Sequence, residues 1–169
     1  GLHAAFIDVG LERRTFLHFH DVRPEAIELI NGKGKKKQSA AGRTGFRRPG
    51  RGRTEEPPVK RGDVILVQVV KDEIGDKAPR VTTNLSLPGR YLVLLPFPSQ
   101  EGGVSRKIDP GQDRFRLKRL LNSIRTNGLN YIVRTAGVDA PDAAIKKDVE
   151  YLSGQWDEIV GRFRSMEKP

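Results

Sequence analysis

Apolar and polar positions change rhythm three times along this chain. Residues 3–9 (His-Ala-Ala-Phe-Ile-Asp-Val) and 14–19 (Arg-Thr-Phe-Leu-His-Phe) are short runs of strand length. The polar turn Gly10-Leu11-Glu12-Arg13 between them predicts a hairpin. Residues 21–30 place Val22, Ile27, Leu29 and Ile30 around Pro24, which predicts a short helix. Residues 31–58 are Gly, Lys, Arg, Ser and Pro with Phe46 as the only large apolar side chain. Such a stretch buries too little surface to offset its chain entropy, and it is expected to be disordered.

Order is expected again from the turn Lys60-Arg61-Gly62-Asp63, which feeds the β-rich run Val64 to Val70. The turn Gly75-Asp76-Lys77 leads into Arg80 to Leu85, so these strands read as a meander of the kind that builds a small barrel. Pro88-Gly89 marks a boundary. Beyond it, residues 91–95 predict a buried strand and residues 103–108 a more polar one. Leu117, Leu120, Leu121 and Ile124 recur at helical spacing after Asp113. A strand over 129–134 follows. Asp139 then caps a last helix with Ile145, Val149, Leu152, Trp156, Ile159 and Phe163 on its inward face. The order strand-strand-helix-strand-helix predicts a small α+β unit.

A length of 169 residues suits one domain or two small ones. No apolar run approaches the ~20 residues that span a bilayer, and the N-terminus has no signal-peptide pattern. Cysteine is absent, which excludes disulfides and thiolate metal sites and agrees with a cytosolic setting. The only methionine is Met166, so the chain is expected to be a fragment. The formal charge of +10 is concentrated. Nine basic residues and no acid lie between Lys33 and Arg53, leaving 22 basic against 21 acidic residues elsewhere. The charge therefore argues for a polyanion partner of that insert, not for a basic fold.

Candidate chemistry is sparse. The segment Gly128 to Gly137 is an apolar strand ending in Arg134 and Thr135 at the mouth of a turn. A guanidinium fork, a hydroxyl and free backbone amides suit a terminal phosphate, although an ordinary strand end with a surface arginine has the same pattern. Phe6 and Phe16 on neighbouring strands are either stacking platforms for unpaired bases or core residues. Lys77 at a hairpin tip is either a phosphate contact or simply solvated. His18 and His20 share a strand face, but no carboxylate or thiolate stands at a ligand spacing, so no metal site is expected. No nucleophile–base set or carboxylate pair stands out, so no catalytic residue is assigned. The acids fall at turns (Asp8, Asp63, Asp109) or on the outer face of the last helix (Asp148, Glu150, Asp157, Glu158), where solvation accounts for them.

Four segments, in order, resemble the N-terminal half of the ribonuclease E/G family. They are Ala4 to Arg13, Thr82 to Pro96 (Thr-Thr-Asn-Leu-Ser-Leu-Pro-Gly-Arg-Tyr-Leu-Val-Leu-Leu-Pro), Gly103 to Ile108 (Gly-Val-Ser-Arg-Lys-Ile), and Gly128 to Gly137. The resemblance implies an α+β chain. Residues 1–87 would be a five-stranded OB-type β-barrel truncated by its first strand and carrying the disordered basic insert 31–58. Residues 88–169 would be a 5′-end sensor of the strand-strand-helix-strand-helix kind. Phe6, Phe16 and Lys77 match RNA-contacting positions of the OB module. Gly89, Val93, Arg134 and Thr135 match a pocket for a 5′-monophosphate, with Arg106 and Lys107 as a basic pair beside it. Gly89 would let RNA approach the backbone closely.

Departures are Thr15 where the family often has glycine, Val9 where an aromatic is frequent, and Lys107 where a second arginine is common. By the same resemblance, the full-length protein is a cytoplasmic endoribonuclease of rRNA and tRNA processing and mRNA decay. It would cut single-stranded RNA as a homo-oligomer. Mg²⁺ would be bound by aspartates of a later nuclease domain, and in some members a zinc ion is shared between subunits. This chain would be the recognition half, without metal or cofactor of its own. The alternative is a non-catalytic RNA-binding or ribosome-associated protein, which no nuclease domain would follow.

Overall fold

The computed structural model describes residues 3–29, 57–124 and 128–166. The basic insert read as disordered lies outside these residues, apart from Pro57 and Pro58 at its end. The described residues form a mixed α+β arrangement of two four-stranded sheets and three α-helices.

The first sheet contains β1 (Ala4–Ile7), β2 (Thr15–His18), β3 (Gln68–Lys71) and β4 (Arg80–Thr82), in the order β1-β2-β4-β3. The hairpin β1–β2 is as the pattern predicts, with Phe6 directly opposite Phe16. The remainder is not a meander. β2 runs parallel to β4, and β3 pairs antiparallel with β4 at the edge. A local pattern of alternation does not encode which distant strand becomes a neighbour, and here the chain leaves β2 through helix α1 (Pro24–Glu28) before returning. Among the described residues the sheet stays open and no barrel closes. The strand expected over 64–70 pairs only from Gln68, and a register shift between Val69 and Lys71 bends it.

The second sheet contains β5 (Leu87–Pro88), β6 (Leu92–Leu95), β7 (Gly103–Val104) and β8 (Asn130–Val133), ordered β5-β6-β8-β7. Leu87 and Pro88 pair with Leu94 and Val93, adding a strand to the expected order, and the Gly89 amide donates to the Leu92 carbonyl to close the turn. β7 is only two residues long. Its ladder ends when the Ser105 amide donates to Val133, after which the Ile108 amide folds back to Ser105.

Helices α2 (Gln112–Ile124) and α3 (Asp142–Ser165) follow β7 and β8. The cap position of α3 belongs to Pro141, not Asp139: its carbonyl accepts the Ala144 and Ile145 amides. A residue preceding proline is pushed out of helical conformation, which delays the helix past Ala140.

Leu117, Leu120, Leu121 and Ile124 of α2 are buried, as are Ile145, Leu152 and Trp156 of α3; they share one apolar cluster with Leu92, Leu94, Tyr131 and Val133. Ala26 of α1, Leu85 and Phe97 belong to the same cluster, and the Phe97 ring meets Trp156 edge-on at 6.1 Å. One apolar core therefore anchors β5–β8 and reaches back to α1.

Candidate functional site

Two surfaces gather the residues picked out by the sequence. The first lies at the C-terminal ends of β7 and β8. Because these strands are parallel, Arg106–Lys107 and Arg134–Thr135 leave the sheet at the same end. The Arg134 amide donates to the Tyr91 carbonyl at 2.8 Å, and its guanidinium donates to the Gly89 carbonyl at 2.5 Å. Arg134 is exposed and makes no ion pair among the described residues. Its remaining N–H groups therefore face solvent in a planar fork, the geometry that suits a phosphate.

Val93, half-buried, stands opposite both Pro88 and Ile132. Ile132 and Arg134 are two residues apart in extended backbone, so this apolar row and the guanidinium share a face. Thr135 is exposed at the start of the one-turn 3-10 helix Thr135–Gly137.

Two buttresses hold the turns beneath. The Asp148 carboxylate accepts the backbone amides of Arg90, Tyr91 and Leu92 at 3.2, 2.8 and 2.9 Å. It is therefore not a solvated surface acid. A Cβ on Gly89 would lie 2.6 Å from this carboxylate, so a packing reason for the glycine exists without any ligand. On the other side, the Arg114 guanidinium donates to the carbonyls of Val104, Ser105 and Ile108 at 3.3, 2.9 and 3.0 Å. That pins the turn carrying Arg106 and Lys107.

Lys107 and Thr135 line one recess of about 330 Å³, together with Asp109, Asp113 and Val138. The two carboxylates oppose an anion deep inside it. Arg106 and Lys107 are both exposed on the turn beside it.

The second surface is a row of rings on β1 and β2. The Phe6 and Phe16 rings meet edge-on at 6.0 Å, Phe16 lies 6.4 Å from His18, and His18 stacks on His20 at 4.9 Å. Phe6 is 60% exposed, which settles its alternatives against a core role. Lys77 is exposed on the tip formed by its paired bonds with Ile74. Arg13 donates to the Gly75 carbonyl at 3.0 Å and ties that tip to the β1–β2 turn.

The family model of the ribonuclease E/G family matches residues 86–169. Over 162 residues the chain is 34% identical to "Ribonuclease G" of Escherichia coli (strain K12), covering 96% of this chain and 30% of that protein. It is likewise 34% identical to "Ribonuclease E" of Nostoc sp. (strain PCC 7120 / SAG 25.82 / UTEX 2576) over 170 residues, 100% of this chain and 22% of the relative. The chain belongs to the ribonuclease E/G family. It spans less than a third of the length of these curated relatives.

For a ribonuclease E/G chain, the metal question is one of donors. Among the described residues no group of three or more His, Cys, Asp or Glu side chains could hold an ion. These residues therefore do not fit Mg²⁺ or zinc. No described helix is long and apolar enough to cross a membrane.

Sequence reasoning overlooked Asp148, Arg114 and Arg13 in this ribonuclease E/G segment. A faint signal existed for the first two. Asp148 follows Ile145 by three and precedes Leu152 by four, and Arg114 precedes Leu117 by three, so both border a buried helical stripe. For Arg13 there was none.

Proposed function

We propose that this chain is the RNA-recognition part of an endoribonuclease, with residues 1–87 as an OB-type RNA-binding module and residues 88–169 as a 5′-end sensor. A five-stranded Greek-key barrel lacking its first strand would leave an open four-stranded sheet, and the order β1-β2-β4-β3 is compatible with that. Phe6 and Phe16 stack on unpaired bases while Lys77 takes a phosphate. Arg134, with Thr135, Arg106 and Lys107 around it, binds the 5′-monophosphate, and Val93 meets the first sugar or base. Within the whole protein, this half delivers single-stranded RNA to a Mg²⁺-dependent nuclease domain elsewhere in a cytoplasmic homo-oligomer.

The observation that carries this reading is the exposed Arg134 guanidinium held by Gly89 at the strand end. Affinities for short 5′-monophosphorylated and 5′-hydroxyl RNAs, compared before and after Arg134→Ala, test it. A preference for the phosphorylated end should disappear at a cost of ~1.5–3 kcal/mol, the worth of a charge-assisted contact. A folded parent protein with no preference between the two ends would refute the sensor.

A further inference from the structure

The geometry points to a second nucleotide site in the cleft between α2 and the first turn of α3. We infer that it takes one unpaired nucleotide of the same RNA, with its base against Phe115 and its phosphates against Arg119 and Lys146. The inference rests on RNA being the ligand of this chain, as proposed above.

Phe115 lies off the buried stripe of α2 and is 65% exposed, so the core is complete without it. In the first turn of α2 this exposed ring offers a stacking surface to a base. The open depression beside it offers about 690 Å³ and is lined by Arg116, Arg119, Ser123, Asp142 and Lys146 as well. That volume is of the size that accommodates a nucleotide-sized ligand.

Charge decides the occupant. The one carboxylate in the cleft, Asp142, is already paired with Arg116, whose guanidinium also donates to the Val138 carbonyl. Arg119 and Lys146 make no ion pair among the described residues, so the cleft keeps two free positive charges. The Arg119 guanidinium lies over the Phe115 ring, 6.0 Å from its centroid, so a base would stack on the ring's other face or on the guanidinium plane itself. An open aromatic flanked by cations is the combination that tracks single-stranded nucleic acid without sequence choice.

Position adds a second, independent argument. Gly111 lines both this cleft and the recess of Lys107 and Thr135, and Val138, which accepts from Arg116, lines that recess too. The two depressions therefore share a wall at Gly111, so the cleft adjoins the surface that carries Lys107 and Thr135.

The test uses the full-length protein and non-cleavable 2′-O-methyl oligonucleotides with a 5′-phosphate or a 5′-hydroxyl. Phe115→Ala should weaken binding of both by at least about fivefold, the low end for one lost base stack. The ratio between the two ends should stay unchanged. Arg119→Gln should lower the log–log salt slope by roughly 0.7, one phosphate contact on a single strand. Arg134→Ala should do the reverse, abolishing the ratio while the Phe115 effect persists with 5′-hydroxyl RNA, so this site and the sensor fail separately.

Unchanged affinity and slope in Phe115→Ala and Arg119→Gln would overturn the inference. So would competition by polyglutamate that depends on Arg119 while RNA binding does not, because the cleft would then belong to an acidic peptide. Thermal midpoints of both variants guard against misfolding, and Arg119→Gln carries the decision if Phe115→Ala unfolds.

Discussion

The Asp148 carboxylate occupies the space in which a side chain on residue 89 would begin: a Cβ there would lie 2.6 Å from Oδ2 and 2.8 Å from Oδ1. The same carboxylate accepts three successive amides, Arg90 to Leu92, and so fixes the turn whose Gly89 carbonyl receives the Arg134 guanidinium. A residue on α3 thus sets the aim of an arginine at the end of β8. The link runs through backbone, so it transmits position with little play.

The pairing predicts strong non-additivity. Asp148→Ala should cost ~1.5–3 kcal/mol by leaving amides without a charged acceptor. Gly89→Ala should cost a similar amount, because the methyl group displaces the same carboxylate. In urea denaturation, Gly89→Ala/Asp148→Ala should cost well under the sum of the two, since both single changes break one contact. Strict additivity would show that Gly89 is constrained by something other than Asp148.

Arg114 plays the opposite part, a cation feeding three carbonyls of one turn. Arg114→Met keeps the aliphatic stem but removes every donor. Stability should fall by ~1.5–3 kcal/mol. Amide exchange of Ile108, whose bond to Ser105 closes the turn, should quicken, and affinity for 5′-phosphorylated RNA should drop because Lys107 and Arg106 lose their platform. Unaltered exchange at Ile108 would remove Arg114 from this role.

Acid should loosen the attachment of α1. Burial alone would raise the Glu25 carboxyl, but the Ser99 hydroxyl, the amides of Glu25 and Ser99 and the Arg23 charge outweigh it and hold the pKa below its ordinary value of 4.5. A carboxyl that binds its proton less tightly when folded stabilises the fold above the unfolded pKa. That contribution fades as pH falls from about 4.5 through the lowered value. Thermal midpoints should therefore decline more steeply for the parent than for Glu25→Gln between about pH 5 and about pH 3. Parallel curves would contradict the assignment.

Much of this architecture was legible in apolar spacing. The β1–β2 hairpin, the inward faces of α2 and α3 and the strand leading to Arg134 follow from local periodicity, because each buries a stripe written into its own residues. What stayed hidden is non-local. Leu87–Pro88 is too short to show alternation, and only its pairing with Val93 and Leu94 makes it a strand. The parallel contact of β2 with β4 depends on a return of the chain that no window of sequence contains. Asp148 and Arg114 look like any charged residue beside a buried stripe. Their roles arise because backbone amides and carbonyls from distant turns arrive there needing partners.

The ring row on the first sheet separates binding from stability. Phe6 is 60% exposed and touches Phe16 only edge-on, so truncating it creates no cavity. Phe6→Ala should leave the thermal midpoint nearly unchanged, as exposed substitutions shift stability by about 0.5 kcal/mol or less. Affinity for single-stranded RNA should nevertheless fall by ~1–3 kcal/mol, one base–aromatic stack, and equally for 5′-phosphate and 5′-hydroxyl ends. Phe16→Ala should lower both affinity and midpoint, because that ring is half-buried between Phe6 and His18. Should Phe6→Ala bind RNA as tightly as the parent, the row would be a surface ornament of the sheet, and RNA contact would rest on Lys77, the 5′-end surface and the α2–α3 cleft.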